Sequence, residues 1–146
     1  MERMAFIQVS HAVIMSRTAL IVEDEIFVAL DLERILMDAG YTVVAIAADR
    51  DSALQAAAAA DFAFIDVNLR DGPTGPEIAE RIAADYGIKV VYVTANPTQI
   101  SDPKGALGFI RKPFSEAAIL AAAALTAQAA MAGRQHTGRL NEIRAA

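Results

Sequence analysis

Asp24, Asp66, Thr94 and Lys112 lie far apart in the chain, yet each stands at the carboxyl end of a short apolar run. The first run, Thr18–Val22, leads into Glu23, Asp24 and Glu25; the third, Phe62–Ile65, into Asp66. The fourth ends in Thr94, and the fifth in Lys112 followed by Pro113. Several carboxylate oxygens in one place suit Mg²⁺, which takes oxygen ligands in octahedral geometry and keeps some of its waters. Without a cation such carboxylates repel one another and raise their own pKa values. Either a metal or Lys112 must balance them. Thr94 offers a hydroxyl donor and Lys112 a point charge, and together these can hold the oxygens of a phosphoryl group in transfer, a reaction catalysed mostly by positioning and charge. Asp66 is then the nucleophile and becomes an aspartyl-phosphate. Each residue also has an ordinary use. Asp24 can cap a helix, Asp66 can accept from strand-end amides, and Thr94 suits a strand. Lys112 can simply be solvated, and Pro113 can end strand pairing. The chemical reading comes from all four together, in order, at strand ends.

Those residues converge only if the runs form one parallel sheet. Helical patterns separate the runs. Val28, Leu32, Ile35, Leu36 and Ala39 recur at helical spacing, with Asp31, Arg34 and Asp38 opposite and Gly40 placed to stop the helix. After a second strand, Thr42–Ala47, Asp49 can cap a helix reaching residue 60. The loop Asp71-Gly72-Pro73-Thr74-Gly75 is built of turn residues, and Pro76 suits the first turn of the next helix. Ile78, Ala79, Ile82, Ala83 and Tyr86 form that helix's expected buried stripe, and Gly87 stops it. Residues 88–93 and 107–111 read as the fourth and fifth strands, and Ser115 as the cap of an alanine-rich helix to residue 132. Strands alternating with helices imply right-handed crossovers and an α/β fold, and unbroken apolar strands imply helices on both faces. In such sheets ligands bind beyond the carboxyl ends of the strands.

The chain has 146 residues, which suits one domain. A formal charge of −5 argues against a nucleic-acid-binding domain, which carries a basic excess. With no cysteine, disulfide and thiol chemistry are excluded and a reducing cytoplasm is compatible. No apolar run is long enough to span a bilayer. Residues 1–16 lack the form of a targeting segment and read as an N-terminal extension, with Met15 a candidate natural start. Residues 17–132 are the expected domain and 133–146 a tail, read as frayed and polar, with extension of the last helix or pairing with a second copy as alternatives.

The segments LIVEDE (20–25), FIDVNL (64–69), VYVTA (91–95) and FIRKPF (109–114) together resemble response-regulator receiver domains of two-component signalling. The resemblance covers nearly the whole chain and implies a five-stranded, doubly wound flavodoxin-like sheet of order 2-1-3-4-5. It implies a phosphoprotein whose Asp66 accepts a phosphoryl group with Mg²⁺ as cofactor. Asp24 matches the direct metal ligand and Glu23 the acid acting through water. Asn68 matches the position whose backbone carbonyl binds the metal. Thr94 and Lys112 match the pair that contacts the phosphoryl group. Phe109 matches the aromatic switch residue that rotates inward as Thr94 moves, and Pro113 the proline preceded by a cis peptide. Asn68 and Asn96 match positions that tune loss of the group to water. The donor implied is a phosphohistidine on a sensor histidine kinase or a phosphotransfer protein. The chain is then no turnover enzyme but a cytoplasmic receiver that assists its own phosphorylation and dephosphorylation.

Thr94 and Lys112 stand 18 positions apart, several fewer than most receivers use, and Pro97, Pro103, Gly105 and Gly108 fall between them. The fourth helix is therefore expected to be short or irregular. Since that face commonly carries output and dimer contacts in the family, a standard homodimer is in doubt. The loop DGPTGPE (71–77) resembles that of receivers tied to alphaproteobacterial stress and light signalling. No output domain is evident, so the chain is read as a stand-alone receiver acting on an unknown partner. Alternatives are a phosphate sink for a kinase, a pseudo-receiver, and a Mg²⁺-dependent small-molecule phosphohydrolase. The last commonly needs a second aspartate two residues after the nucleophile, where this chain has Asn68. Removal of Lys112 is expected to leave the fold intact and blunt the switch.

Overall fold

The structure is a computed structural model that describes residues 17–102, 105–132 and 140–145. The expectations for residues 1–16, for Pro103 and for residues 133–139 of the tail lie outside the described residues.

Five strands form one parallel sheet: β1 (Thr18–Val22), β2 (Thr42–Ala47), β3 (Phe62–Ile65), β4 (Lys89–Thr94) and β5 (Ala106–Arg111). Their order is β2-β1-β3-β4-β5. Four α-helices connect or follow them: α1 (Ile26–Asp38), α2 (Arg50–Ala56), α3 (Gly75–Tyr86) and α4 (Glu116–Ala132).

Alternate strand residues feed two cores. Ala19 and Ile21, with Phe62, Phe64, Val91, Val93 and Ile110, pack beneath α1 and α4. Leu20 and Val22, with Ala63, Ile65, Val90 and Tyr92, pack beneath α2 and α3. Both faces are covered, which is why β1 and β3 lack polar alternation. The alanines of α4 let it lie close to the sheet; Ala118, Ala122 and Ala123 are buried beside Ile119.

The local signals hold with two differences. Asp49 caps α2 through the Ser52 amide at 3.0 Å, but the α-helix ends at Ala56 and finishes as the 3₁₀ turn Ala57–Ala59. Tyr86, expected in the buried stripe of α3, is 51% exposed, because Gly87 ends the helix directly after it. Its stripe is instead Gly75, Ile78, Ala79 and Ile82. Between β4 and β5 the described residues hold a single 3₁₀ turn, Pro97–Gln99, and no α-helix. That agrees with the short interval from Thr94 to Lys112.

Candidate functional site

Backbone bonds carry the ladder one residue past each strand and so fix the rim. The Glu23 amide donates to the Ala47 carbonyl at 2.8 Å, Asp66 to Val22 at 2.9 Å, and Lys112 to Thr94 at 2.9 Å. Side chains from the ends of β1, β3 and β5 are thereby aimed at one point.

Lys112 is the centre of that point. Its ammonium lies 2.6 Å from Glu23 Oε1 and 2.9 Å from Asp66 Oδ2. Glu23 is 3% exposed and Asp66 8%. Burial opposes the charge on Lys112, but bonds to the two carboxylates outweigh it and raise its pKa. Burial pushes the Glu23 carboxyl up to about 7, with the charge of Asp66 adding to the shift and Lys112 opposing it. One ammonium thus serves two buried acids.

Asp24 is exposed and faces the same point. Single oxygens of Glu23, Asp24 and Asp66 all lie within 4.8 Å of one another. Glu23 Oε1 is buried against the Lys112 ammonium. Three hard oxygen donors this close together fit a divalent cation such as Mg²⁺.

Thr94 is 1% exposed at the end of β4, and its Oγ1 accepts from the Asn96 amide at 3.0 Å. Accepting leaves the hydroxyl proton available to a further acceptor. The Lys112–Pro113 peptide is cis. Phe109 is half-buried on β5 and packs against the α2/α3 core. Asn68 is exposed in the loop after β3, where its side chain pairs reciprocally with Gln99 at 2.7 and 3.2 Å. That pair ties the loop after Asp66 to the turn that replaces the fourth helix.

Sequence reasoning missed three contributors. Gln99 has no sequence signal, since its partner is 31 residues away. Asp71, read only as a turn residue, accepts from the Arg50 amide at 3.0 Å and the Thr74 hydroxyl at 2.7 Å, fastening the loop to α2. Gly75 was read as turn chemistry, but its role is close approach. A Cβ there would collide with the Asp66 carbonyl oxygen and lie 2.7 Å from Val67 Cα. Backbone on both sides cannot yield cheaply. Gly75→Ala is expected to cost about 1–3 kcal/mol in urea denaturation and to displace Asp66. An unchanged midpoint would show that the helix start does not press on the site.

Phe27 (84% exposed), Ile26 (55%) and Leu30 (45%) present an apolar surface on α1 beside this rim. A cleft of about 540 Å³ lies between Phe27, Val28 and the Lys112–Phe114 segment. No helix among the described residues is long and apolar enough to cross a membrane.

A family model described as the response regulator receiver domain matches residues 19–124. The phyllosphere-induced regulator PhyR of Methylorubrum extorquens is 29% identical over 113 residues, 73% of this chain and 42% of that protein. The transcriptional regulatory protein PdtaR of Mycobacterium tuberculosis is 31% identical over 104 residues, 68% of this chain and 51% of that protein. The chain spans about half the length of the curated relatives it matches. A CheY-like receiver domain protein from Methanospirillum hungatei has a TM-score of 0.71 at 25% identity, over 81% of this chain and 98% of that structure.

Proposed function

The chain belongs to the response regulator receiver domain family, and from that premise we propose that Asp66 is its phosphoacceptor, working beside a Mg²⁺ held by Glu23, Asp24 and Asp66. The observation that carries the reading is the convergence of Asp66, Glu23 and Lys112 at the carboxyl ends of three different strands.

Each residue then has a distinct task. Asp66 is the nucleophile, and its burial at the strand end holds the attacking oxygen in place. Lys112 neutralises the acids before transfer and contacts a phosphoryl oxygen afterwards. Thr94 donates its hydroxyl to another such oxygen and, with Phe109, forms the switch. Bound Mg²⁺ would supply charge neutralisation for the incoming phosphoryl group, with the Asn68 backbone carbonyl completing its protein ligands. Two residues after Asp66, where a phosphohydrolase commonly has a second aspartate, this chain has Asn68, and that supports a signalling acceptor over a turnover phosphohydrolase.

The donor is a phosphohistidine on a sensor kinase or phosphotransfer protein. It approaches over the exposed Ile26, Phe27 and Leu30 of α1, the apolar surface next to the opening above Lys112. The signal leaves through an output partner, and the receiver comprises residues 17–132. Incubation with Mg²⁺ and acetyl phosphate tests the core of this reading. Intact-mass spectrometry should show one added phosphoryl group, stable to acid and labile to base. Absence of any adduct would reject it.

Protonation gives a second test. Glu23 binds its proton more tightly in the folded chain than in the unfolded one, where its ordinary value is 4.5. As pH falls through about 7 the carboxyl becomes neutral and a weaker cation ligand. Mg²⁺ affinity should therefore fall between about pH 8 and about pH 6. Calorimetry in two buffers of different ionisation heat should show proton release on binding. Flat affinity across that window would remove Glu23 from the site.

A further inference from the structure

β5 is the last strand of the sheet, and its outer edge is not left open. Residues 140–145 run along it. The Phe109 amide donates to the Asn141 carbonyl at 3.0 Å, and the Ile143 amide donates to the Phe109 carbonyl at 2.7 Å. The two bonds form a parallel bridge that pairs Phe109 with Glu142. The tail expected to be frayed is therefore docked over these residues.

Three further observations make this a built contact. Ile143 packs against the α1/α4 core and Leu140 against the α2/α3 core, so the segment straddles the sheet edge. Glu142 lies 3.8 Å from the Arg111 guanidinium and 3.2 Å from that of Arg144. Gly108 admits the close approach: a Cβ there would sit 2.7 Å from the Asn141 carbonyl oxygen and 2.9 Å from the Ile143 side chain. A strand edge exposes unpaired amides and carbonyls, which natural proteins cover or use to bind extended peptides.

We propose that the outer edge of β5 is a strand-addition site whose resident occupant is the chain's own segment Leu140 to Arg144, and that phosphorylation of Asp66 releases that segment. The second half rests on the phosphoacceptor reading above; the first does not. The coupling runs along one strand. Phe109 holds the segment through both its backbone groups, and three residues later Lys112 contacts Asp66 and Glu23. A phosphoryl group on Asp66 draws the Lys112 ammonium to new oxygens and shifts the end of β5. Both of these backbone bonds meet at Phe109, so a shift of that residue acts on both at once. The freed edge then presents the Phe109 amide and carbonyl to a partner strand.

Amide hydrogen exchange on the full chain tests this. With Mg²⁺ alone, the Phe109 and Ile143 amides should be protected. Ile143→Asp removes the apolar anchor, and Gly108→Val removes the close approach from the other side. Each should speed exchange at Phe109 by roughly tenfold or more. A labelled peptide of sequence LNEIRA should bind the Ile143→Asp chain and not the wild type. Unprotected Phe109 and Ile143 amides in the wild type, or equal peptide binding to both chains, would overturn the docking site. Protection that rises with protein concentration would show a second copy's strand on the edge and overturn the resident occupant.

The phosphorylation arm adds acetyl phosphate and follows the adduct by intact mass on the same sample. Faster exchange at Phe109 in the labelled chain supports the release. A labelled chain with unchanged protection overturns it. A chain that takes no label fails the phosphoacceptor reading instead, with the docking result left standing.

Discussion

Asp66→Asn should take no phosphoryl group from acetyl phosphate or from a kinase, while the wild-type chain takes one. The amide has no negative oxygen to attack phosphorus. The loss is expected to be complete rather than partial, because Glu23, the other buried acid at the site, is held against Lys112. The fold should survive. Asparagine is nearly isosteric, and removing one of two adjacent buried charges relieves repulsion while Lys112 keeps Glu23 as its counter-ion. The variant should thus unfold at the same urea concentration as the wild type or a higher one. A full-level adduct on a folded Asp66→Asn chain would move the acceptor elsewhere.

Lys112→Ala is expected to be costly to the fold as well as to signalling. The sequence alone suggests a tolerated change, since lysine is ordinarily a solvated residue. In the structure its ammonium is the cation shared by two carboxylates whose side chains are only 2% and 10% exposed. Removing one partner of a buried ion pair costs about 3–5 kcal/mol. Here the cost should depend on pH in a stated direction. Lys112 holds the Glu23 carboxyl down, so without it Glu23 is pushed higher still and must take up a proton that the wild type does not need above about pH 7, where the penalty is largest. At lower pH, Glu23 takes a proton and the penalty shrinks. On the proposed metal site, which exists only in the folded arrangement, Mg²⁺ should recover part of the stability. Urea denaturation at about pH 8 and about pH 6, with and without Mg²⁺, measures all of this. Equal stability of variant and wild type under every condition would mean that the shared ion pair does not hold in solution.

Both expectations turn on residues that stand out in the sequence, but for different reasons. Asp66 is legible because an acid directly after an apolar strand is a local pattern. The consequence of losing Lys112 is not legible, because it depends on which groups surround the ammonium. Gly75 makes the same point. Its place in a turn-rich loop is plain from Asp71-Gly72-Pro73-Thr74, yet the need for glycine comes from the Asp66 carbonyl pressing against it. Tyr86 fails in the other direction: helical spacing puts it on the buried face, but Gly87 ends α3 before the sheet can cover it.

What the chain specified by itself were features with a short range. Strand runs, Asp49 and Ser115 as caps, the short 3₁₀ turn after Thr94, and acidic and basic residues at strand ends all follow from side-chain chemistry within a few neighbours. Tertiary structure alone decided which distant groups meet. It put one ammonium between Glu23 and Asp66, joined Asn68 to Gln99, and laid Ile143 and Asn141 against Phe109. The physical reason is that burial and contact are properties of the packed sheet. A lysine or a tail isoleucine has the same local sequence whether solvent or a carboxylate, open water or a strand edge, lies across from it.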